Sequence, residues 1–265
     1  MIQSDTILLL TGKFLIGTLF LIRITGFMAT AQMFKSEAVP SQLKVCLAVI
    51  LAVGLSSAFW YEQPQIDFHL WYLIFLVLKE FTFGAIIGFA CNTVFWAARF
   101  AGGLVDVNLG FQASAVFANQ DTPTMFGELN ELIVLMIFLA LNGHHTMIEG
   151  IYLSVRAVPI GTFEITGSTY TLLTNFITNV TIIAIKLAAP VLIAEFLTNL
   201  ALALLARIAP QTNIFMLSFQ IKIAVGLLIV FLTLALFAFS TKTSFGNFEH
   251  SLMEFIMTLN PIRTT

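Results

Sequence analysis

Long apolar runs, most of them interrupted by one or two charges, follow one another along nearly the whole chain. Ile7 to Phe34 contains Lys13 and Arg23, Val45 to Tyr61 carries no charge, and Phe68 to Ala98 contains Lys79 and Glu80. The longest runs are Tyr170 to Ala209 and Ile214 to Ser240, while Leu129 to Leu141 is short. A membrane-spanning helix needs about 20 apolar residues. Several runs reach that length, and Leu129 to Leu141 reaches it only with its polar flanks. Period-two alternation is absent, and backbone groups in hydrocarbon must be paired within their own segment, so the runs read as helices and not barrel strands. The expected fold is an all-α membrane protein.

Punctuation between the runs places the helix ends. Asp121-Thr122-Pro123 offers a cap followed by a proline suited to a first helical position, and Asn142-Gly143 offers a left-handed stop, bracketing a helix from about Thr124 to Asn142. Pro190 inside its run predicts a kink. Ala157 to Ser168, with Pro159, Gly161 and Gly167, separates an N-terminal part (1–160) from a C-terminal part (161–265). In the latter, two long helices turn at Ala209 to Asn213 as an antiparallel hairpin. After Thr241, Phe245, Phe248, Leu252, Phe255, Ile256 and Leu259 recur every three or four residues and predict a separate short amphipathic helix.

The embedded charges carry the next inference. An ionisable group at membrane depth costs roughly 2.5–3.5 kcal/mol even on lenient insertion scales, so Lys79, Glu80, Lys186, Glu195, Arg207 and Lys222 are expected to face protein or water. Glu195, Asn199, Arg207 and Lys222 form a set that pairs across helix interfaces or lines a hydrated bore; in a transporter the same set serves as an ion or proton relay. Composition agrees with a membrane assembly subunit: 58% of residues are hydrophobic and 10% charged, with mean hydropathy +0.96. A net charge of −2 without any basic block argues against nucleic acid, which needs clustered Lys and Arg. Lys35 and Lys44 flank the first connection, whereas Glu62 and Asp67 mark the second, so the positive-inside rule puts the first in the cytoplasm. The start, acidic at Asp5 and without a basic residue before the apolar run, reads as retained despite Ala29-Thr30-Ala31. Cys46 and Cys91 are expected as buried small hydrophobes.

Between Ala101 and Gln120 the chain becomes glycine-rich, small and apolar. Glycine costs roughly 0.8–1 kcal/mol against alanine in a helix, so Gly102, Gly103 and Gly110 favour a loop or broken helix. Two readings stand. The glycines act as hinges of a movable constriction in which Phe111, Val116 and Phe117 supply bulk beside Gly110, or they only let helices approach closely. Catalytic readings are weaker. His144 and His145 are adjacent and point about 100° apart on a helix, unlike metal-binding His pairs, and they suit hydrogen bonding at a helix end. Glu128 and Glu131 sit near a helix start, where negative charge favours the dipole. No GxSxG, Walker A or dinucleotide fingerprint appears. The chain is expected to be no enzyme, with no cofactor and no metal.

Leu109-Gly110-Phe111, then the Asp121/Pro123 turn, Asn142-Gly143-His144-His145, and Ala206 through Phe215 with Ala209-Pro210-Gln211-Thr212-Asn213, resemble in order and spacing the FliR family of flagellar biosynthesis proteins. Val39-Pro40, Lys44-Val45 and Leu47-Ala48 resemble that family's first connection. The chain departs from the family at Ala118 to Pro123, where an Asp-Pro is frequent, and at Ser218-Phe219-Gln220, where a Gly-Phe-Pro is common. The resemblance implies a subunit of the type III protein export gate in the bacterial inner membrane and flagellar basal body. It also implies partners of the FliP, FliQ, FlhB and FlhA types, unfolded export substrates, and membrane lipid. In such a helical ring the N-terminal part resembles FliP, the C-terminal hairpin resembles FliQ, and residues 106 to 120 form a plug in the conduit. The competing class is a stand-alone secondary transporter of a small solute, with a midplane site at broken helices.

Overall fold

A computed structural model describes residues 2–35, 40–64, 69–110, 124–163, 167–209 and 214–258. Its regular elements are all helical: α1 (Ile2–Thr30), α2 (Gln32–Lys35), α3 (Ser41–Phe59) with a 3-10 turn at Trp60–Glu62, α4 (Leu70–Cys91), α5 (Thr93–Leu109), α6 (Met125–Ala140), α7 (Gly143–Ala157), α8 (Gly167–Ile208) and α9 (Ile214–Thr258). Among the described residues four helices are long and apolar enough to cross a membrane: Gly12–Thr30, Ser41–Glu62, Leu70–Cys91 and Thr169–Ile208. Two helix pairs join them if each is one broken span: Met125–Ala140 with Gly143–Ala157, and Met216–Leu232 with Phe237–Thr243. The protein is an all-α, multi-span helical bundle.

The chain divides into two compact units. The first comprises Met1–Asn92, Asn142–Phe176 and Asn247–Thr265; the second comprises Thr93–Leu141 and Ile177–Gly246.

In the first unit α1 and α4 run side by side in the same direction, and their backbones nearly touch. A Cβ at Gly26 would collide with the carbonyl of Phe81, and one at Gly84 with that of Arg23, the small-residue crossing expected where helices associate without a hydrophobic drive. Around this seam Phe20, Ile24, Phe27, Phe83 and Ile87 are almost wholly enclosed. Phe163, from the segment after α7, packs on Phe83 with ring centroids 4.8 Å apart. Asn92 ties off the far end: its Oδ1 accepts the Gln32 N–H at 2.6 Å and its Nδ2 donates to the Thr30 carbonyl. That satisfies backbone groups left open where α1 breaks before α2.

The second unit is built on an antiparallel pair, α5 and α6. Every third or fourth residue of α5 is buried, from Val94 through Ala97, Ala101 and Val105 to Leu109, a stripe that follows the helical period. Phe95 meets Phe138 edge to face at 5.4 Å, Asn130 Nδ2 donates to the Ala98 carbonyl, and Arg99 pairs with Glu131 at 3.4 Å. On the other side of α5, Ala97 and Ala101 pack against Ala184 and Ala188 of α8.

Several expectations are met. Asn142 is left-handed, with φ 57°, immediately beyond α6, and α8 opens after the break at Ala157. Others are not. Gly102 and Gly103 lie inside a continuous helix, because the close packing of Gly102 on α6 offsets the glycine penalty. The segment after Thr241 is no separate helix but continues α9, which bends by 49° between Leu232 and Phe237. Cys91 is buried and Cys46 exposed, since α3 turns Cys46 away from its unit. His144 and His145 follow the end of α6, as expected, and stand in the first turn of α7: the His145 N–H donates to the Asn142 carbonyl at 2.8 Å.

Candidate gate segment and buried polar groups

Residues Gly110 and Thr124 are the two described ends of the segment expected to plug a conduit. Phe111, Val116 and Phe117 lie outside the described residues, so the geometry available is that of the mount. Its first component is Gly110, whose φ of +83° turns the chain out of α5; a side chain there would be strained. Phe219 of α9 lies against Gly110, and Leu109 fills the space beside Gly226. Leu109 also joins Val105, Phe126 and Val191 in a buried cluster covered by Ile229 and Val230. One root of the segment is thus wedged among α5, α6, α8 and α9.

The second component is Asp106, a fully buried carboxylate. Its Oδ1 and Oδ2 accept the Phe126 N–H at 3.2 and 3.1 Å, and Oδ2 accepts the Gly127 N–H at 3.4 Å. Thr124, the residue at the start of α6, makes no side-chain cap. Asp106 therefore caps α6 from the neighbouring helix, supplying acceptors to first-turn N–H groups and negative charge to the positive end of the dipole. Burial pushes its carboxyl above the ordinary range, and the N–H groups of Phe126 and Gly127 pull it back in part. Gly102 completes the mount: its α-carbon lies against the Phe126 carbonyl and Gly127 nitrogen, leaving no room for a Cβ, whereas Gly103 has nothing nearer than Thr124 Cγ2 at 3.8 Å. Both helix ends that emit the 111–123 segment are held by one short stretch of α5 and α6.

The expected polar set is only partly gathered. Glu195 of α8 is fully buried, and both its carboxylate oxygens are without a hydrogen-bond partner among the described residues. Lys222 of α9, half-buried, acts on it electrostatically without forming an ion pair. Asn199 and Arg207 are exposed on α8 and do not join them. Lys186 is exposed on the same helix and lines a small cleft with Asn130, Pro190 and Phe237.

A polar network that the sequence reading missed lies in the first unit. Arg23 Nε donates to Glu80 Oε2 at 2.6 Å, with both side chains about 1% exposed or less. Arg23 Nη1 donates to the carbonyls of Ser154 and Val158 at 3.2 and 3.0 Å, and Glu80 Oε1 accepts the Gly161 N–H at 2.8 Å. Lys79 Nζ donates to the Gly161 carbonyl at 3.3 Å, and Gln63 Oε1 accepts the Ile160 N–H at 2.8 Å. Four side chains thus fasten the segment leaving α7. The signal that could have found the core of this clasp was the cation Arg23 deep in the first apolar run and the one carboxylate, Glu80, in the third, each too costly to leave unpaired. Among the described residues no group of three or more His, Cys, Asp or Glu side chains comes together to hold a metal.

Residues 14–248 match the family model described as bacterial export proteins, family 1. The chain is 28% identical over 227 residues to the flagellar biosynthetic protein FliR of Aquifex aeolicus (strain VF5), covering 85% of this chain and 88% of that protein. It is 30% identical over 221 residues to FliR of Bacillus subtilis (strain 168), covering 80% and 83%. It also matches the Yop proteins translocation protein T of Yersinia pestis, at 31% identity over 175 residues, 64% of this chain and 66% of that protein.

Proposed function

The chain belongs to the FliR family of bacterial export proteins and is a non-enzymatic inner-membrane component of a flagellar or type III secretion export apparatus; on that premise we propose that it is the subunit that occludes the export conduit. The observation that carries the proposal is the mount formed by Asp106, Gly102 and Gly110, which holds the backbone on either side of residues 111–123. Phe111, Val116 and Phe117 then supply the apolar bulk that excludes water. Displacement exposes apolar surface to water at about 25 cal/mol per Å², so opening requires compensating contacts from an unfolded substrate or from neighbouring subunits.

In this reading residues 1–160 act as a FliP-like part and residues 161–265 as a FliQ-like hairpin, within a ring completed by FliP- and FliQ-type subunits and contacted by FlhB- and FlhA-type ones at the flagellar basal body. The break after α7 and the two long helices α8 and α9 support that division. The exposed Asn199 and Arg207 of α8 support polar pairing at a subunit interface, and the buried Glu195, on which Lys222 acts, supports polar pairing between α8 and α9 within the chain. The reading as a solute transporter draws on the same carboxylate, but among the described residues no second polar group is in contact with Glu195 from which to build a midplane site. Intact-complex mass spectrometry after mild detergent extraction separates the two. A gate subunit is recovered bound to other membrane subunits and exports nothing alone. A lone chain that carries a solute across reconstituted vesicles would overturn the assignment.

A further inference from the structure

The buried carboxylate of Glu195 lies one helical turn from the root of the 111–123 segment. Val191 of α8 packs with Val105, Leu109 and Phe126, and Glu195 follows it by four residues on the same helix face. α9 reaches that root with a face of its own. Phe219 lies against Gly110, and the Leu109 side chain fills the notch left by Gly226, where a Cβ would have no room. Ile229 and Val230 cover the cluster that holds Val191. Lys222, three residues after Phe219 and four before Gly226, stands between these two contacts on the same face. Among the described residues it supplies the one opposite charge that acts on Glu195. Asp106, the other buried carboxylate described in this unit, is taken up by the Phe126 and Gly127 N–H groups, whereas neither oxygen of Glu195 has such a donor.

We propose that Lys222 is a positioning residue for the root of the plug: by offsetting the buried Glu195 charge it keeps α9 seated on Leu109 and Gly110. A carboxylate sealed from water without an opposite charge is costly, and removing one partner of such a pair costs more than removing both. With Lys222 in place the contact between α8 and α9 stays dry. Without it the carboxylate gains most by becoming hydrated, and hydrating it means lifting the α9 face that covers Leu109 and Gly110. Taking up a proton instead would still leave a buried carboxyl group without a hydrogen-bond partner. The inference rests on the occluding role for what unseating does to the conduit, and stands apart from it for the seating itself.

The test is hydrogen exchange of the assembled export complex containing the full chain, followed in the peptide that carries the Gly110 amide, which donates to the Val107 carbonyl at 3.2 Å. Lys222→Met is expected to speed exchange there by about five- to 150-fold, the usual range of coupling between linked sites, and to leave α1 and α4 unchanged. Lys222→Arg, which keeps the charge, should hold the wild-type rate. Lys222→Met combined with Glu195→Met should return to near that rate, because no charge is then left unpaired; side chains that merely fill space would give a double variant at least as fast as the single one. Wild-type exchange in Lys222→Met, a Lys222→Arg variant as fast as Lys222→Met, or a double variant as fast as the single one would each overturn the proposal. If Lys222→Met prevents assembly, the double variant decides: an assembled complex with wild-type exchange supports the proposal, and a failure to assemble overturns it. Ion conductance separates the two readings, since faster exchange at Gly110 without a leak supports the seating and counts against the occluding role.

Discussion

Removing Arg23 should open the first unit far more than removing Arg23 and Glu80 together. In the native fold the guanidinium is shared between the Glu80 carboxylate and two backbone carbonyls, all sealed from water. Arg23→Leu leaves the carboxylate buried with one remaining donor, the Gly161 N–H, and takes the Arg23 donor from the Val158 carbonyl, whereas the Ser154 carbonyl keeps the Val158 N–H. Breaking one side of a buried pair costs about 3–5 kcal/mol, whereas replacing both sides with apolar side chains is often neutral or better. Cys91, wholly buried at the end of α4, provides the readout. In a Cys46→Ser background, thiol labelling of Cys91 in the assembled complex reports transient opening of the unit. At 1.4 kcal/mol per tenfold, about 3–5 kcal/mol means that Arg23→Leu should accelerate labelling by about 10² to 4 × 10³-fold. Arg23→Met combined with Glu80→Met should stay within about tenfold of wild type, because no charge is then left unpaired. Labelling of Arg23→Leu at the wild-type rate, or a double variant as fast as the two single effects combined, would refute the reasoning.

The mount of the 111–123 segment gives further expectations. Asp106→Ala strands the Phe126 and Gly127 N–H groups and should destabilise the α5–α6 pair by about 1–3 kcal/mol, read as faster hydrogen exchange at those two amides. Asp106→Asn, which keeps an acceptor without the charge, should cost less. Because burial holds the Asp106 carboxyl above its ordinary value, the fold favours its protonated form. The resulting stabilisation is present below the usual aspartate pKa and is lost as pH rises through the raised one; hydrogen exchange of α6 should show that trend in wild type and lose it in Asp106→Asn. Gly102→Ala should impair assembly and motility, since its Cβ meets α6 backbone. Gly103→Ala should be tolerated and add up to about 1 kcal/mol of helix stability.

Helix positions were legible in the sequence wherever the cause is local. Asn142 tolerates the left-handed backbone, and the Pro- and Gly-bearing stretch after Ala157 cannot continue a helix, so both boundaries follow from the residues themselves. What escaped depended on neighbours distant in sequence. Gly102 and Gly103 read as breakers because helix propensity is a property of the isolated segment; the backbone of α6 pressed against Gly102 reverses the balance. Asp121, the cap expected for α6, lies outside the described residues; among those described, the carboxylate that caps α6 is Asp106, 20 residues before Phe126 and brought there by the hairpin. Arg23 and Glu80 were visible as embedded charges, yet nothing local says they meet. The charges of the C-terminal hairpin were read as a group, while Glu195 is buried without a hydrogen-bond partner among the described residues and Asn199 and Arg207 face outward.

The occluding role is tested most directly by ion conductance of inner membranes containing the assembled export complex, comparing wild type with a chain lacking residues 111–117. The account predicts a tight membrane for wild type and a steady leak for the deletion, with a smaller leak for Phe111→Ala combined with Phe117→Ala. An equally tight membrane for the deletion, in a complex shown to be fully assembled, would contradict it.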